Sequence, residues 1–424
     1  MKIKVKKTAY EDLLKVKPKV RRPKKPNILF RTLLKIVGSF DLRAAKFHCE
    51  KIGMEKLKKK EPCLILMNHS SFIDMEIATA IFYPRPLNIV ATFDAYIGKN
   101  WLMRQLGCIE TKKFTVGVGL LRDMSYALKK LKSSVLLFPE AGYSLDGRAI
   151  VLPESIGKSL KYFGVPVVMV TTHGAFLRQP LYNNLRKRKV PVSATVEYLL
   201  SPEDIAEKSV DELNAIVQEK FSFDNFRAQK EQGLIIDDEN RAEGLNRVLY
   251  KCPHCKAESK TKGEGKHLTC AACGKVYELT ELGEMKAVDG ETEFTAIADW
   301  VDWQRACVKE EIEGGRYALS MPVDIKIMVD TKGVHDVGDG VLSHDESGFR
   351  LVGCEGKLDY MQSANKTYCI NSDFYWYQIA DVINIGDLNV QYFCFPKVEG
   401  DYAFKTRLAA EELYKLGKAK LRGK

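Results

Sequence analysis

Short apolar runs alternate with amphipathic segments in the first half of the chain, and this pattern predicts an α/β domain. Between residues 62 and 200, stretches with helical spacing separate runs that are short enough to be buried strands. Those runs are Leu64–Met67, Leu87–Ala91, Ser134–Phe138, Pro166–Val170 and Val190–Tyr198. Residues 201–245 are charged and have a helical pattern, so we expect them to close this domain or connect it to the next.

The last third of the chain has a different pattern, which predicts a β-rich domain. Between residues 316 and 400, short strand-like runs are divided by Gly, Asp and Asn turns. The runs are Tyr317–Met328, Gly340–Ser343, Gly348–Gly353, Lys357–Gln362, Thr367–Ile370, Tyr375–Val382 and Val390–Phe395. A helix is predicted from Tyr402 to Leu416. Antiparallel strands followed by a C-terminal helix resemble a pleckstrin-homology-like fold, on architecture alone.

A Trp-containing helix from Asp299 to Glu313 precedes these strands, and together they give a predicted accessory domain over residues 296–424. A polar, acidic stretch at 284–295 is predicted to be a linker. Trp300 and Trp303 lie on one side of the helix, a pattern that indicates either a membrane interface or burial against the next domain.

At the other end, residues 1–26 are rich in Lys, Arg and Pro, and we expect a mobile basic arm. An amphipathic helix follows from Asn27, with apolar residues on one predicted face and basic residues on the others. That face contains Phe30, Leu33, Val37, Phe40, Ala44 and Phe47. The helix could lie in the headgroup layer of a membrane or pack on the core of the α/β domain.

The basic charge of the protein is confined to this N-terminal region. Residues 1–60 contain 20 Lys and Arg against 5 Asp and Glu, and because the whole chain carries +11, the remaining residues carry −4. Such asymmetry predicts an anionic membrane surface as a partner of residues 1–60. The sequence contains no long apolar run and no signal peptide. We therefore expect a cytoplasmic protein, peripheral or monotopic at the inner face of the cell membrane.

Four of the eleven cysteines have the spacing of a metal site. Two Cys-x2-Cys pairs are separated by 14 residues, and they comprise Cys252, Cys255, Cys270 and Cys273. Paired knuckles at this distance bring four thiolates to one tetrahedral Zn²⁺, which predicts a zinc ribbon over residues 246–284. Four protein ligands leave no open position, so the zinc would be structural. The other cysteines are scattered, which favours a reducing compartment.

The segment from Asn68 to Asp74 contains the strongest candidate for catalysis. His69 and Asp74 follow a buried apolar run at the point where a strand turns into a helix. An imidazole can take a proton near neutral pH, and a carboxylate can hold its tautomer. Asn68 could cap the helix, and backbone N–H groups of the turn could hold an oxyanion.

This His-x4-Asp segment and three later blocks resemble the glycerolipid acyltransferase family. The blocks are Asn68–Asp74, Trp101–Lys113, Leu137–Ser144 and Gly164–Val168. The resemblance implies an acyltransferase domain over residues 27–245, with His69 and Asp74 as catalytic residues. It implies transfer of a fatty acyl group from acyl-CoA or acyl-carrier protein to the free hydroxyl of lysophosphatidic acid or a related lysolipid, in phospholipid synthesis.

The resemblance also implies an acceptor site. Its predicted residues are Glu140, Gly142, Lys113, Arg104 and Lys112. A solvated basic face is an equally good interpretation of the three cations. The chain departs from the family at Ala141-Gly142-Tyr143, where the family has Gly-Thr-Arg. Because tyrosine cannot neutralise a phosphate, Arg148 is a candidate to replace the missing charge.

Two other functions fit parts of the sequence. A non-catalytic lipid-binding scaffold on the same fold would explain the altered block at Ala141–Tyr143. A nucleic-acid-binding protein would explain a basic arm together with a zinc ribbon. However, the basic residues lie far from the ribbon in sequence, so no nucleic-acid partner is expected.

Overall fold

The computed structural model describes residues 3–16, 21–113 and 117–422. The chain forms two compact units. The α/β unit comprises Val20–Pro180 and Lys187–Asn225, and the β-rich unit comprises Met1–Lys19, Leu181–Arg186 and Phe226–Lys424. The α/β unit therefore ends at Asn225 and not at residue 245 as predicted. The segment after Asn225 bonds instead to the cysteine-containing region, for example through the hydrogen bond from Ala242 N–H to Gly265 C=O at 2.9 Å.

The secondary-structure elements follow one another along the described residues in this order. The strands are β1 (Val5–Lys7), β2 (His48–Ile52), β3 (Leu64–Met67), β4 (Leu87–Thr92), β5 (Ile109–Thr111), β6 (Ser134–Leu137), β7 (Val167–His173), β8 (Ser193–Leu200), β9 (Thr261–Glu264), β10 (His267–Cys270), β11 (Val276–Leu279), β12 (Met285–Ala287), β13 (Leu319–Met328), β14 (Val334–Asp345), β15 (Gly348–Gly353), β16 (Leu358–Ser363), β17 (Asn371–Trp376), β18 (Ala380–Gly386) and β19 (Gln391–Pro396). The α-helices are α1 (Tyr10–Leu14), α2 (Ile28–Ala44), α3 (Asp74–Phe82), α4 (Asn100–Gln105), α5 (Val118–Lys129), α6 (Ile156–Phe163), α7 (Ala175–Arg178), α8 (Pro202–Glu207), α9 (Val210–Lys220), α10 (Asn225–Glu231), α11 (Ile297–Glu313) and α12 (Tyr402–Arg422).

The α/β unit contains a sheet with the order β2-β8-β7-β3-β6-β4-β5. Strands β7, β3, β6, β4 and β5 run parallel, and β8 is antiparallel to β7. Strand β3 is buried along its whole length, as expected for a central strand covered on both faces. The five predicted strands are present. The edge strands β2 and β5 were missed because one is mostly exposed and the other has three residues.

Helix α2 shows two apolar faces. One face packs on the core through Phe30 and Leu34, and its Asp41 forms ion pairs of 2.8 Å with Arg178 and 2.9 Å with Lys187. Burial tends to raise the pKa of Asp41, but these two cations bring it below its ordinary value. The other face exposes Leu29, Leu33, Ile36, Val37 and Phe40. Core packing is therefore established for one face, and the predicted apolar stripe is divided between the two.

The β-rich unit contains two sheets. A small antiparallel sheet with the order β12-β11-β10-β9 spans residues 261–287, so the predicted linker at 284–295 begins with a strand. A larger sheet has the order β16-β15-β14-β13-β19-β18-β17, and β1 pairs with β14. The helices α11 and α12 pack together, and Arg305 contacts Glu411 and Glu412 at 2.7 and 2.9 Å.

Several predicted boundaries in this unit were wrong. Thr367–Ile370 precedes β17 and is not a strand. The predicted run Tyr375–Val382 contains the turn between β17 and β18, where Tyr377 and Gln378 have positive φ angles. The aromatic and β-branched residues of this run are typical of a strand, so its sequence pattern did not indicate the turn.

The expectation of a mobile basic arm was also wrong for the described residues 3–16. Val5–Lys7 forms strand β1, which pairs in parallel with Val334–Asp336. Helix α1 then buries Tyr10 and Leu13. Apolar residues at these positions therefore anchor a segment whose basic composition predicted mobility. Residues 17–20 of the predicted arm lie outside the described residues.

Burial is the correct interpretation for Trp300, whose indole is fully buried and donates a hydrogen bond to Lys251 C=O at 2.9 Å. Trp303 is half-buried, with its ring 5.7 Å from that of Phe294 and the Lys256 ammonium 4.6 Å above it. Neither side chain is presented on an open apolar surface. Among the described residues, no helix combines the length and the apolar character that crossing a bilayer requires.

Candidate active site

The predicted catalytic and acceptor blocks meet at one edge of the α/β sheet. His69, Phe138 and Asp94 come directly after strands β3, β6 and β4, which are neighbours in the sheet. Because these strands run parallel, their carboxyl ends lie side by side, where ligands bind in open α/β sheets. Lys112 and Lys113 follow β5 at the same edge.

His69 and Asp74 form a hydrogen-bonded pair at the start of α3. The Nδ1 atom of His69 lies 3.0 Å from Oδ2 of Asp74. The same oxygen accepts hydrogen bonds from the N–H groups of Ser70 and Ser71, at 2.7 and 3.0 Å. Asp74 is fully buried, whereas the His69 side chain is 19% exposed. A buried carboxylate therefore fixes the imidazole, and the ring can still be reached.

The main chain of His69 is held from both sides by the loop that follows β6, which we call the clasp (residues 138–150). Glu140 Oε2 accepts the N–H of His69 at 2.7 Å, and its Oε1 accepts the N–H of Ile150 at 2.9 Å. Ser144 N–H donates to the C=O of His69 at 2.9 Å. Glu140 is fully buried. Glu140 is a predicted acceptor-site residue, and in this structure both of its carboxylate oxygens accept backbone N–H groups, one of them from the histidine turn.

Two aromatic rings of the clasp stack on the imidazole. The Phe138 ring lies 4.1 Å from the His69 ring with an interplanar angle of 25°, and the Tyr143 ring lies 3.8 Å away at 33°. Phe72, which is 52% exposed, lies 5.2 Å from Tyr143. These contacts restrict rotation of the imidazole and give the site an aromatic rim.

The side chain of Asn68 ties the histidine turn to the neighbouring strand. Its Oδ1 accepts the N–H and the hydroxyl of Thr172, at 2.7 and 3.1 Å, and its Nδ2 donates to Ser70 Oγ at 2.9 Å. The predicted helix-capping role was wrong, because Ile73 occupies the N-cap position of α3. Asn68 is fully buried, so its role is to join β3 to β7.

The predicted oxyanion donors in this turn are also occupied. The N–H groups of His69, Ser70 and Ser71 donate to Glu140 and Asp74. A carboxylate bound to a backbone N–H is a charge-assisted contact that a carbonyl oxygen does not readily displace. These three groups are therefore already committed to positioning His69 and Asp74, the predicted catalytic pair.

The predicted acceptor cations are not all at the same place. Lys113 Nζ lies 3.8 Å from Asp94 Oδ2, and Lys112 Nζ lies 5.4 Å from the centre of the Phe93 ring. Arg104 lies in the last turn of α4, which leads into the amino-terminal end of β5. The structure therefore brings the two lysines to the edge that carries His69, and it places Arg104 toward the other end of β5.

Arg148, the candidate replacement for the family's arginine, is paired with a carboxylate. Its Nε and Nη2 atoms each lie 3.0 Å from Asp146 Oδ2, and its N–H donates to Asp146 Oδ1 at 3.1 Å. Arg148 lies in the clasp, close in sequence to the block Leu137–Ser144. Its charge is offset by a neighbour only two residues away.

Gly142 is a predicted acceptor-site residue, but the unusual backbone conformation of this block belongs to its neighbour Ala141. Ala141 has a φ angle of 54°, a left-handed conformation that glycine adopts most easily. The family has glycine at this position. The sequence already contained the signal, because Ala141 is where the glycine of the block is replaced.

Sequence reasoning missed the positioning roles of Ser144, Thr172 and the Tyr143 ring. Ser144 lies in the block Leu137–Ser144, and the resemblance of this block to the family was the available signal. However, Ser144 contacts His69 through its backbone N–H and not through its side chain. Thr172 lies 104 residues from its partner Asn68, so their contact depends on the order of strands in the sheet.

The four cysteines of the β-rich unit converge as predicted. Their sulfur atoms all lie within 4.8 Å of one another, with Cys252 and Cys273 at 3.9 Å and Cys255 and Cys270 at 3.7 Å. Tetrahedral zinc with bonds of about 2.3 Å requires sulfur separations of about 3.8 Å. The cluster therefore has the size and chemistry to hold a zinc ion. His254 lies between two of these cysteines in sequence, and its Nδ1 is 3.2 Å from Glu293 Oε1.

Comparisons with known proteins agree with the geometry of the α/β unit. The acyltransferase family model matches residues 48–172, a range that contains His69, Asp74 and the clasp. The crystal structure of the 1-acyl-sn-glycerophosphate (LPA) acyltransferase PlsC from Thermotoga maritima is a structural match with 20% sequence identity and a TM-score of 0.36, covering 48% of this chain and 80% of that one. No curated protein sequence matches the chain. Residues 48–172 therefore match the acyltransferase family, and this match supports the resemblance to the glycerolipid acyltransferases that the sequence blocks predicted.

Proposed function

We propose that this protein is an O-acyltransferase that moves a fatty acyl group from acyl-CoA or acyl-carrier protein to the free hydroxyl of lysophosphatidic acid or a related lysolipid. The observation that carries the proposal is the contact of 3.0 Å between His69 Nδ1 and the buried Asp74 carboxylate. When Nδ1 donates to Asp74, the lone pair of the neutral ring is on Nε2, where it can accept a proton.

The mechanism moves one proton to His69 and back to the leaving thiol, and it needs no acyl-enzyme because a thioester is already activated. Nε2 of His69 takes the proton of the acceptor hydroxyl as its oxygen attacks the thioester carbonyl. The tetrahedral intermediate then collapses, the C–S bond breaks, and the thiol leaves with the proton held by His69. Asp74 stabilises the imidazolium between these steps, and the clasp keeps the ring in place.

The test is an acyl-transfer assay with purified protein and its His69→Ala variant. Acyl-CoA and acyl-carrier protein would be offered as donors to several lysolipids in vesicles. We expect transfer that falls by about 10²- to 10⁴-fold in the variant, with unchanged unfolding. A folded wild-type protein that transfers to no acceptor would contradict the proposal and favour the lipid-binding scaffold.

The exposed face of α2 supports a membrane as the surface on which this reaction occurs. Its five exposed apolar residues lie beside basic side chains such as Lys35 and Arg43, a combination that suits an anionic bilayer. The predicted basic region 1–60 belongs to both units, so we assign membrane binding to α2 and its neighbours. The proposed location is the inner face of the cell membrane.

This assignment can be tested by vesicle flotation with a matched control. Phe40 in α2 and Met361 in the β-rich unit are both 67% exposed. We expect Phe40→Asp to weaken binding to vesicles of phosphatidylcholine and phosphatidylglycerol, and Met361→Asp to leave it unchanged. Equal effects of the two substitutions would contradict an α2 docking face.

We propose that the cysteine cluster holds a structural Zn²⁺ in a zinc ribbon and that the larger sheet with α12 is a pleckstrin-homology-like accessory domain. Metal ligation by four thiolates stabilises small folds by contributing directly to their folding free energy. Metal analysis of the purified protein should give one zinc per chain, and Cys252→Ser should lower that content and the stability of the β-rich unit.

A further inference from the structure

The acceptor end of the site differs chemically from the block pattern that predicted it. Tyr143 stands where the family has an arginine, and its ring lies 3.8 Å from the His69 ring. A tyrosine in this contact cannot also carry a positive charge to a phosphate. The position next to the catalytic imidazole is therefore aromatic where the family has a cation.

Two cations, Arg148 in the clasp and Lys113 at the β4–β5 edge, lie beside carboxylates, and Lys112 lies over the Phe93 ring. Arg148 pairs with Asp146 at 3.0 Å, and Lys113 pairs with Asp94 at 3.8 Å. All four side chains are at most 23% exposed, so water screens these pairs weakly. Each pair has a net charge near zero.

A phosphate monoester is poorly matched to such a site. It carries a charge of about −1.5 to −2 at neutral pH and three acceptor oxygens. Binding it through either of these pairs would require Arg148 or Lys113 to leave its carboxylate partner, or the phosphate to lie close to Asp146 or Asp94. Both arrangements oppose binding, since a separated buried ion pair and two adjacent anions are each unfavourable.

An acceptor without that group suits the same surroundings. Phe72, Tyr143 and Phe138 present apolar ring surface around His69. Such surface packs favourably against the glycerol and ester carbons next to a reacting hydroxyl, and it tolerates an uncharged or zwitterionic headgroup.

We propose that the preferred acceptor is a hydroxyl-bearing lipid that carries no phosphate monoester, and that Tyr143 sets this preference. This inference rests on the proposed acyl transfer. It narrows the acceptor to lipids whose phosphate is a diester and to lipids that have no phosphate. Tyr143 acts as a specificity-determining residue because its ring occupies the position from which the family's arginine would reach a phosphate.

The experiment compares three acceptors with the same acyl chain: lysophosphatidic acid, lysophosphatidylcholine and monoacylglycerol. For each, kcat/KM is measured with the wild-type protein, Tyr143→Arg, Tyr143→Phe and Asp146→Asn. The readout is the ratio between acceptors within each protein, so a general loss of activity in one variant cancels. Lysophosphatidylcholine carries a phosphate diester, and monoacylglycerol carries no phosphate. Comparing these two acceptors shows which of the two headgroup classes allowed by the inference the protein prefers.

We expect the wild-type protein to use lysophosphatidic acid at least about tenfold less efficiently than the better of the other two, which is the usual effect of one missing charge-assisted contact. Tyr143→Arg should shift the ratio toward lysophosphatidic acid by about tenfold. Asp146→Asn, which removes the negative charge that Arg148 contacts at 3.0 Å, should shift it in the same direction. Tyr143→Phe keeps an aromatic ring and should leave the ratio unchanged.

A wild-type preference for lysophosphatidic acid would overturn this inference and leave the proposed acyl transfer standing. A ratio that neither Tyr143→Arg nor Asp146→Asn shifts would also overturn it. Failure of the folded protein to acylate any of the three lipids would overturn the proposed function and the inference together.

Discussion

Two histidines of this protein, His69 in the α/β unit and His344 in the β-rich unit, have similar contacts and different capacities. Both stack on aromatic rings, and both form a hydrogen bond through Nδ1. The partner of His69 is a carboxylate, and its ring is partly exposed. The partner of His344 is the hydroxyl of Tyr317 at 2.9 Å, and its ring is fully buried.

The difference shows what converts a core histidine into a candidate base. Burial lowers the pKa of His344 to about 3, so this ring is held neutral at any ordinary pH. A ring without access and without an anionic partner can neither receive a substrate proton nor be stabilised once charged. Ring stacking and a hydrogen bond at Nδ1 are therefore insufficient as signs of catalysis.

The largest effect is expected when the residue that hydrogen-bonds to Nδ1 of each histidine is replaced. Asp74→Asn should lower kcat by about 10²- to 10⁴-fold, because the anion that stabilises the imidazolium is lost. The fold should survive, since Asp74 Oδ2 accepts all three hydrogen bonds and, among the described residues, Oδ1 has no partner, so an amide can occupy the same place. Steady-state kinetics and thermal unfolding measure the two effects.

The matched control is Tyr317→Phe, which removes the hydrogen bond to His344. It should lower the free energy of unfolding by about 1 to 3 kcal/mol, because a buried nitrogen loses its partner. Turnover should be unchanged. A variant Asp74→Asn that keeps wild-type turnover would show that the two histidines do not differ as described.

The second prediction concerns acid stability. The pKa of His344 is about 3 in the folded protein and about 6.5 in the unfolded chain, so the unfolded state binds the extra proton between these values. Stability should therefore be complete above about pH 6.5 and be lost by about 1.4 kcal/mol per pH unit as the pH falls toward 3. Denaturant unfolding at several pH values measures this slope.

His344→Leu should remove that contribution, so the difference in stability between the two proteins should shrink as the pH falls. The charge of Asp345, the next residue in β14, favours the charged form of His344 and so opposes the effect of burial. A pH-independent difference between wild type and variant would mean that the His344 ring binds a proton as readily in the folded protein as in the unfolded chain.

A third, smaller effect should follow from loosening the clasp. The main chain of His344 is fixed by pairing of β14 with Leu319 in β13 and Phe349 in β15, whereas that of His69 depends on the Glu140 carboxylate. Glu140→Gln weakens a charge-assisted hydrogen bond that contributes about 1.5 to 3 kcal/mol. We expect kcat to fall by roughly ten- to 100-fold.

Ser320→Ala is a suitable control, because the contact that its hydroxyl makes is with the Ser343 hydroxyl in β14, at 3.3 Å and distant in sequence from the clasp. It should change neither turnover nor stability. If Glu140→Gln kept full activity, the two backbone contacts of Glu140 would be structural and would not position the imidazole.

The smallest effect is expected at Ala141, in the turn of the clasp. Its left-handed φ of 54° costs an alanine about 1 kcal/mol relative to glycine. Ala141→Gly should therefore raise the free energy of unfolding of the α/β unit by up to about 1 kcal/mol, and Gly142→Ala should not. Differential scanning calorimetry can compare the two, and a destabilised Ala141→Gly would show that the methyl group makes contacts that outweigh the strain.

The sequence predicted those features that depend on residues near one another. The pair His69 and Asp74, five positions apart, and the two cysteine knuckles were found because the chemistry is local. The central strands of the α/β sheet were found because burial on both faces leaves continuous apolar runs such as Leu64–Met67.

Features that depend on distant segments could not be predicted. The backbone contacts between Glu140, Ser144 and His69 span more than 70 residues and follow from the pairing of β3 with β6. The charge of Arg148 was visible, but its pairing with Asp146 depends on the path of the loop. Strand β1 was interpreted as a mobile arm because its composition is basic, and its partner β14 lies more than 300 residues away.

The pairing of β1 with β14 has a consequence for the order in which the protein is made. Thr8 binds His335, a residue 327 positions later, so β1 must wait for its partner after it leaves the ribosome. At about 5 to 20 residues per second, that wait is roughly 15 to 65 seconds. The α/β unit can complete its sheet during this interval. Synthesis toward the C-terminus therefore allows the acyltransferase domain to fold first, and the β-rich unit can pair β1 only after β14 has emerged.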